Sequence, residues 1–377
     1  MLAALAALGS LATNIILPAF PVIGADLGAS VKDLSSTLSS FFMAFAVGQL
    51  FVGPLSDRFG RKPLVVLGLI VFVTGSAICA LASNLPQLIV GRIVQALGVC
   101  ATSVLSRAIA RDLFEGEALA RALSLVMVAM AAAPGFSPLL GGAFNNLLSW
   151  RATFGAVGVI AILLGVHYLL RLGETNSIGQ HKTLALNAVA NTYKALLTDR
   201  RFIVPATSVS LVIGSLYLFF AMAPAILMEG MGFSPFELAL FFASTVFVVF
   251  GAGLLAPRLA HRFGILHASR AGLAIAFTGS ASLLIGPEQW YSFSIALTVF
   301  LTGMGLINPL GTAMTLQPFS HNAGAASALL GFLQMGCAAL TIAITSTLPL
   351  EPYLAFSIVL TANMLLAVLT FLGMSKR

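Results

Sequence analysis

The sequence predicts an all-α polytopic membrane protein with 12 transmembrane helices in two six-helix halves. Three observations carry that prediction. Of the 377 residues, 59% are hydrophobic and only 8% charged, against about 25% charged residues in an ordinary soluble domain. Apolar runs recur along the whole chain, many of them near the ~20 residues that carry an α-helix across ~30 Å of hydrocarbon. The basic residues, finally, gather on alternate loops, as the positive-inside rule requires. The alternation over ~10 residues that marks an outer-membrane barrel is absent, so each span satisfies its own backbone polar groups as a helix.

The first apolar run, Leu2 to Pro21, lacks a basic n-region and an A-x-A cleavage signal and is followed by further spans, so it reads as the first helix and not as a signal peptide. The chain begins almost inside that helix, and the expectation is a missing or very short segment before it. Short clusters of Gly, Pro, Asn and charge divide the rest. The spans run over 2–24, 34–54, 63–82, 86–109, 122–145 and 153–171, then over 202–228, 236–256, 265–285, 290–313, 324–348 and 352–374.

Assigning alternate loops to opposite sides places 16 basic residues together: Arg58, Arg61 and Lys62; Arg107, Arg111 and Arg121; Arg171, Lys182, Lys194, Arg200 and Arg201; Arg258, Arg262 and Arg270; Lys376 and Arg377. Only Lys32 and Arg151 fall opposite, and Arg92 lies within the fourth span. Both termini are therefore expected in the cytoplasm. The 12 acidic residues divide six to each side, so the net charge of +7 reads as topology, not as nucleic-acid binding. The polar segment from Arg171 to Arg201 divides the chain into residues 1–171, a linker 172–201 and residues 202–377. Its stretch Leu184 to Leu197 fits either an amphipathic helix on the membrane surface or a partly ordered connector. Cys79, Cys100 and Cys337 each lie inside an apolar run, and nothing suggests a disulfide framework, a metal site or a cofactor.

The halves repeat. Arg58-Phe59-Gly60 aligns with Arg262-Phe263-Gly264 at an offset of 204 residues, and Leu17-Pro18-Ala19 resembles Ala223-Pro224-Ala225 at an offset of 206. Two matches at such similar offsets predict structural repeats about an axis along the membrane normal, with a solute site near the midplane.

Several motifs then carry a resemblance. The loop Gly53-Pro-Leu-Ser-Asp-Arg-Phe-Gly-Arg-Lys62 matches the G-x-L-a-D-R-x-G-R-[RK] signature of the major facilitator superfamily, where it joins spans two and three. The fourth span carries Arg92-Ile-Val-Gln-Ala-Leu-Gly98, similar to R-x-x-Q-x-x-G. The fifth carries Pro138, Gly141 and Gly142 in a run similar to the antiporter motif ending G-P-x-x-G-G, with Ser137 where a Gly is usual. Together these resemble the drug:proton antiporters of the bicyclomycin-resistance (Bcr/CflA) branch, over essentially the whole chain. The resemblance implies a major facilitator fold and a secondary transporter that exports a small drug-like or metabolite solute across a bacterial cytoplasmic membrane by alternating access.

The resemblance also assigns roles. Gly53 would let helices two and eleven approach closely, and Asp57, Arg58, Gly60 and Arg61 would form a charged latch of the outward-open state, with Arg61 pairing with Asp112 at the end of span four. For Arg58 and Lys62 a plain positive-inside loop is the alternative. Pro138, Gly141 and Gly142 would let span five bend and pack against span eight. Arg92 costs ~2.5 to 3.5 kcal/mol in hydrocarbon even on translocon scales, so it should face protein or water; snorkelling to the interface is its bland alternative. Trp150, at the turn before span six, reads first as an interface anchor.

At one position the chain departs from the pattern. Relatives of this type carry an acid in span one shortly before an L-P pair, and here Thr13-Asn14-Ile-Ile-Leu-Pro18 has Asn14 in its place. None of the 12 acids falls well inside a span. Coupling through an interfacial acid such as Asp26 or Asp33, titration of His167, or transport with no ion all stay open. A narrow-specificity metabolite carrier or facilitator without proton coupling is the second reading. Without a buried acid, neutral, zwitterionic or anionic solutes suit Arg92 better than cationic ones.

By the resemblance, polar residues of the cavity-lining spans become solute candidates: Asn14, Gln49, Arg92, Gln95, Ser103, Tyr217, Asn308 and Gln334, with Phe45, Phe136 and Phe220 as aromatic walls. Most of the 28 phenylalanines must simply pack. The expected partners are a small-molecule substrate, the lipid bilayer and, under coupling, protons; the protein should be a monomer that binds no nucleic acid. An intramembrane enzyme is disfavoured, because the spans hold no H-E-x-x-H, no G-x-S-x-G and no paired aspartates.

Overall fold

The computed structural model describes residues 1–175 and 186–373, so the expectations resting on Lys182, Leu184, Lys376 and Arg377 lie outside the described residues. Among the described residues, twelve helices are long and apolar enough to cross a membrane. The first span is α1 (Leu2–Asn14), a 3-10 turn Leu17–Ala19 and α2 (Phe20–Leu27). Spans two to six are α3 (Val31–Phe59), α4 (Arg61–Ala80), α5 (Leu85–Leu113), α6 (Gly116–Leu147) and α7 (Trp150–Arg171). A short helix, α8 (Leu186–Thr198), follows. Span seven is α9 (Arg200–Ala223) running into a π-helical segment Pro224–Gly230, and α10 (Pro235–Phe263), α11 (Ile265–Ile285), α12 (Trp290–Leu316), α13 (Ala323–Thr347) and α14 (Pro352–Leu372) complete the set. The chain groups into two compact units, Met1–Val189 and Ala190–Arg377.

Several helices outrun the spans read from hydropathy. The second and eighth, expected over 34–54 and 236–256, extend over Val31–Phe59 and Pro235–Phe263. Hydropathy falls where Asp57 and Arg58, or Arg258 and Arg262, enter; backbone hydrogen bonding needs no apolar side chain and continues through them. Capping boxes fix the starts of both helices: Ser30 with Asp33, and Ser234 with Glu237. Both stop at glycines in the left-handed region, Gly60 at φ 93° and Gly264 at φ 82°, from which the next helix departs. A side chain at either position would be strained.

The repeat continues into helix packing. In the first unit a Cβ on Gly98 of α5 would collide with the Phe72 amide and Gly68 carbonyl of α4; in the second, one on Gly303 of α12 would collide with the Ala276 amide and Gly272 carbonyl of α11. Small residues bring each pair of backbones together where side-chain packing and not water exclusion drives association. The two x-Pro-Ala segments likewise both interrupt a regular α-helix: Pro18 lies in the 3-10 turn of span one and Pro224 opens the π segment of span seven.

Aromatic packing distinguishes the second unit. Phe219 on α9 lies 5.4 Å from Phe220, 5.6 Å from Phe242, 6.4 Å from Phe293 and 6.5 Å from Phe356, centroid to centroid. Within the linker, the described part of the stretch read as an amphipathic helix or a connector is helical and buries Leu196 while leaving Leu197 exposed.

Candidate functional site

The break in span one organises the first unit's interior. Helix α1 stops at Asn14, and the last four carbonyls of any helix lack intrahelical donors. Arg92 on α5 supplies a donor from another helix: its Nη1 donates to the Ala12 carbonyl at 3.0 Å and to Gln95 Oε1 at 2.6 Å. Gln95 Nε2 donates in turn to Ser76 Oγ on α4 at 2.9 Å. The guanidinium lies over the Phe41 ring of α3 at 4.4 Å, and Phe45 stacks on Phe41 at 6.3 Å. Arg92 is fully buried, so it does not snorkel. A cation at the C-terminal end of α1 is favoured by the helix dipole, and the aromatic face adds cation–π attraction. Even so, its Nε and Nη2 have no hydrogen-bond partner among the described residues.

Asn14 satisfies itself differently from the interhelical bonding one expects of an amide at membrane depth. Its Nδ2 donates to the Ser10 carbonyl at 2.8 Å and to Thr13 Oγ1 at 3.0 Å, both on its own helix. The helix ends at Asn14 itself, so the side chain can fold back on the final turn. From the other side Gly141 of α6 meets the same break: a Cβ there would collide with the Ile15 carbonyl oxygen and lie 2.7 Å from the Ile15 carbonyl carbon. The sequence motif implies packing against span eight; the structure adds this contact with span one. Gly142 has more room, its nearest neighbour being Pro18 Cβ at 3.9 Å. Pro138, in the same helix, is buried.

A second cluster sits where α3, α4 and α5 end or begin. Arg61 Nη1 donates to Asp57 Oδ1 at 2.7 Å and also bonds Ser56 Oγ; its Nε donates to Asp112 Oδ2 at 3.2 Å. The Arg61 side chain is 14% exposed and that of Asp112 23%, which shields this pair from solvent better than an ordinary surface ion pair, while Asp57 stays half exposed. Arg58 is exposed and stacks over Phe59 at 5.1 Å, outside this network. A Cβ on Gly53 would meet no described atom within 4 Å.

The remaining candidates scatter. Gln49 and Ser103 are buried in the first unit, while Phe136 is 56% exposed. In the second unit Phe220 packs into the aromatic cluster, with Tyr217 edge-on to it at 6.2 Å. Asn308 and Gln334 are half-buried on α12 and α13. His167, one of the coupling candidates, is exposed on α7.

One other expectation needs correction. Trp150 is 2% exposed and donates from Nε1 to Asp26 Oδ2 at 3.0 Å, so it is a packed side chain and not an interface anchor. Arg151 lies over its ring at 4.2 Å, pairs with the same carboxylate oxygen at 2.6 Å and caps the Ala82 carbonyl at 3.0 Å. The hydropathy reading had no means of seeing that Asp26 faces this turn. Asp26 and Asp33, the two interfacial acids considered for coupling, are thus engaged, one by Arg151 and Trp150 and the other in a capping box.

The second unit shows what is particular to the first. Superposing Gly98 on Gly303 puts Leu297 and Phe300 in the places of Arg92 and Gln95, and both are buried. The helix pair α11–α12 therefore forms without a charge at these two positions, and the polar pair is not a requirement of the packing.

Comparison with known proteins agrees with this architecture. The family model described as Major Facilitator Superfamily matches residues 2–343. A transporter of Bacillus subtilis described as an uncharacterized MFS-type transporter, YdgK, is 32% identical over 89% of this chain and 85% of its own length. A bicyclomycin resistance protein homolog of Haemophilus influenzae is 24% identical over 97% of this chain and 92% of its own. Among solved structures, the nucleoside transporter NupG matches with a TM-score of 0.76 at 12% identity, covering 100% of this chain and 99% of that one, a likeness of fold. With its twelve apolar helices, its paired six-helix repeats and a family match over most of its length, the chain belongs to the Major Facilitator Superfamily.

Proposed function

We propose that this chain is a secondary transporter of a bacterial cytoplasmic membrane, with both termini in the cytoplasm, that exports a small organic drug-like solute by exposing one binding site to each side in turn. The observation that carries the reading is the meeting of two exporter-type motifs at the break in span one: Arg92 binds the Ala12 carbonyl, and Gly141 lies against Ile15. A helix interrupted at membrane depth, with a buried charge and a close glycine contact beside it, is the kind of irregular backbone that membrane proteins keep where solutes pass. The named bicyclomycin-resistance relative supports drug-like cargo.

In this reading Asn14, Phe45, Gln49, Arg92, Gln95 and Phe136 in the first unit, and Tyr217, Phe220, Asn308 and Gln334 in the second, are the solute-contacting candidates. Asp57, Arg61 and Asp112 latch one state, Gly60 gives the latch its turn, Gly141 permits the approach of span five to span one, and Gly53, Pro138 and Gly142 serve the helix movements between states. The transporter acts as a monomer. One observation favours transport without proton coupling as a second reading: Asn14, standing where an acid is usual, spends its amide protons on its own helix. Flux of bicyclomycin, chloramphenicol or ethidium into proteoliposomes, with and without an imposed pH gradient, separates the two. Gradient-driven accumulation supports coupled export; equal flux under both conditions supports the facilitator; no flux of any of the three counts against drug export.

A further inference from the structure

We propose that Glu174 is a positioning residue of the transport cycle, tying the start of the segment after span six to the Asp57, Arg61 and Asp112 latch. The proposal rests on the exporter reading for its consequence, but its geometry stands apart from it. Glu174 follows the end of α7, and both of its carboxylate oxygens accept backbone protons from the first turn of α4: Arg61 N donates to Oε1 at 2.8 Å and Lys62 N to Oε2 at 3.0 Å. These amides are among the four that a helix start leaves without partners. Usually the preceding residue supplies the cap, but the residue before α4 is Gly60, which has no side chain to offer. The cap arrives instead from a residue more than 100 positions later, and its negative charge sits at the positive end of the helix dipole.

The matching turn of the second unit gives a comparison. Helix α11 begins at Gly264 with the same left-handed turn and likewise no side-chain cap from the preceding residue. A Cβ at Gly264 would meet no described atom within 4 Å, whereas one at Gly60 would press on the Glu174 carboxylate, with its carbon at 3.0 Å. Among the described residues, the turn at Gly264 carries no such carboxylate and the turn at Gly60 does.

Its neighbour closes the connection. Thr175 N donates to Glu174 Oε1 at 3.0 Å, and Thr175 Oγ1 donates to Asp112 Oδ2 at 3.2 Å, the same oxygen that accepts from Arg61 Nε. Glu174 and Thr175 thus grip Arg61 twice, at its backbone directly and at its guanidinium through Asp112. When Arg61 and Asp112 separate, the adjacent Glu174 and Thr175 cannot hold both, so either Thr175 gives up Asp112 or Glu174 loses its register over the Arg61 and Lys62 amides.

The test uses the full chain and the variants Glu174→Gln, Asp112→Asn and their combination, read by amide exchange at residues 61 and 62, by melting temperature and by transport. Glutamine keeps the size but offers one acceptor oxygen in place of two. Exchange at the two amides should rise about tenfold in Glu174→Gln. It should rise in Asp112→Asn as well, although that residue touches neither amide, and the combination should exchange no faster than the faster single variant. Turnover should fall severalfold with KM unchanged, a split that a cap serving only stability would not produce. Unchanged exchange in Glu174→Gln, additive effects in the combination, or wild-type turnover with altered exchange would each overturn the proposal. If the wild-type protein moves no solute, the exporter reading fails, and the exchange measurements alone decide whether Glu174 is coupled to the latch.

Discussion

Because the second unit builds the same helix pair with Leu297 and Phe300, the first unit's polar pair can be replaced by the protein's own apolar solution. In Arg92→Leu the Ala12 carbonyl and Gln95 Oε1 lose donors at 3.0 and 2.6 Å, and each buried acceptor left bare costs roughly 1–3 kcal/mol. Contact with the Phe41 face at 4.4 Å is lost as well, worth about 0.5–2 kcal/mol. Against this, the variant no longer buries a guanidinium whose Nε and Nη2 lack partners, which returns part of the loss. The net expectation is a destabilisation of about 2–4 kcal/mol. Adding Gln95→Phe removes the bare amide oxygen; Ser76 loses its Gln95 donor but keeps its own bond to the Phe72 carbonyl at 2.8 Å. The double variant should therefore be more stable than the single one by about 1 kcal/mol or more. Transport should not follow stability: both variants should lose it at least about tenfold, because the charge beside the span-one break is gone. Thermal unfolding in detergent and flux in proteoliposomes measure the two quantities separately. A double variant that recovers wild-type flux along with its stability would refute the functional role of the pair.

Gly141→Ala should lower stability by about 1–3 kcal/mol, since its methyl meets Ile15 backbone that cannot rotate away; Gly142→Ala, whose nearest atom is Pro18 Cβ at 3.9 Å, should be close to neutral in the same unfolding assay. Asp112→Asn weakens one contact of a largely shielded arginine and should cost about 1 kcal/mol or less, yet change the rate at which transport turns over; equal turnover would remove Asp112 from the latch. Asn14→Asp replaces the donor to the Ser10 carbonyl at 2.8 Å with a group that keeps that bond only when protonated. Its flux should depend on an imposed pH gradient more steeply than the flux of the wild type. Trp150→Phe removes the Nε1 donor to Asp26 and should destabilise by about 1 kcal/mol, visible as a lower melting temperature.

Fold was more legible than the site, and the reason is physical. Span number follows from apolar length, and the repeat was visible at Gly60 and Gly264 because a left-handed turn admits almost no residue but glycine. Helix ends were read short at Phe59 and Phe263 because hydropathy tracks solvent preference, whereas helices end where backbone geometry stops them. Arg92 and Gln95 stood out in the sequence as polar groups at membrane depth, but their attachment to the Ala12 carbonyl did not, since backbone acceptors leave no trace in a sequence. Trp150 and Glu174 were hidden for a related reason. Each acts on a partner distant in the chain, and an aromatic residue near a membrane turn, or an acid in a polar linker, has an ordinary explanation until the partner is located.

Accumulation of bicyclomycin, chloramphenicol and ethidium in an efflux-deficient bacterial host tests the central claim most directly, comparing cells that express the wild-type chain, the Arg92→Leu/Gln95→Phe variant, or neither. The exporter account predicts lower accumulation of at least one compound with the wild type alone, the variant matching the empty host at equal membrane expression. Accumulation unchanged by the wild type for all three, or lowered equally by the variant, would contradict it.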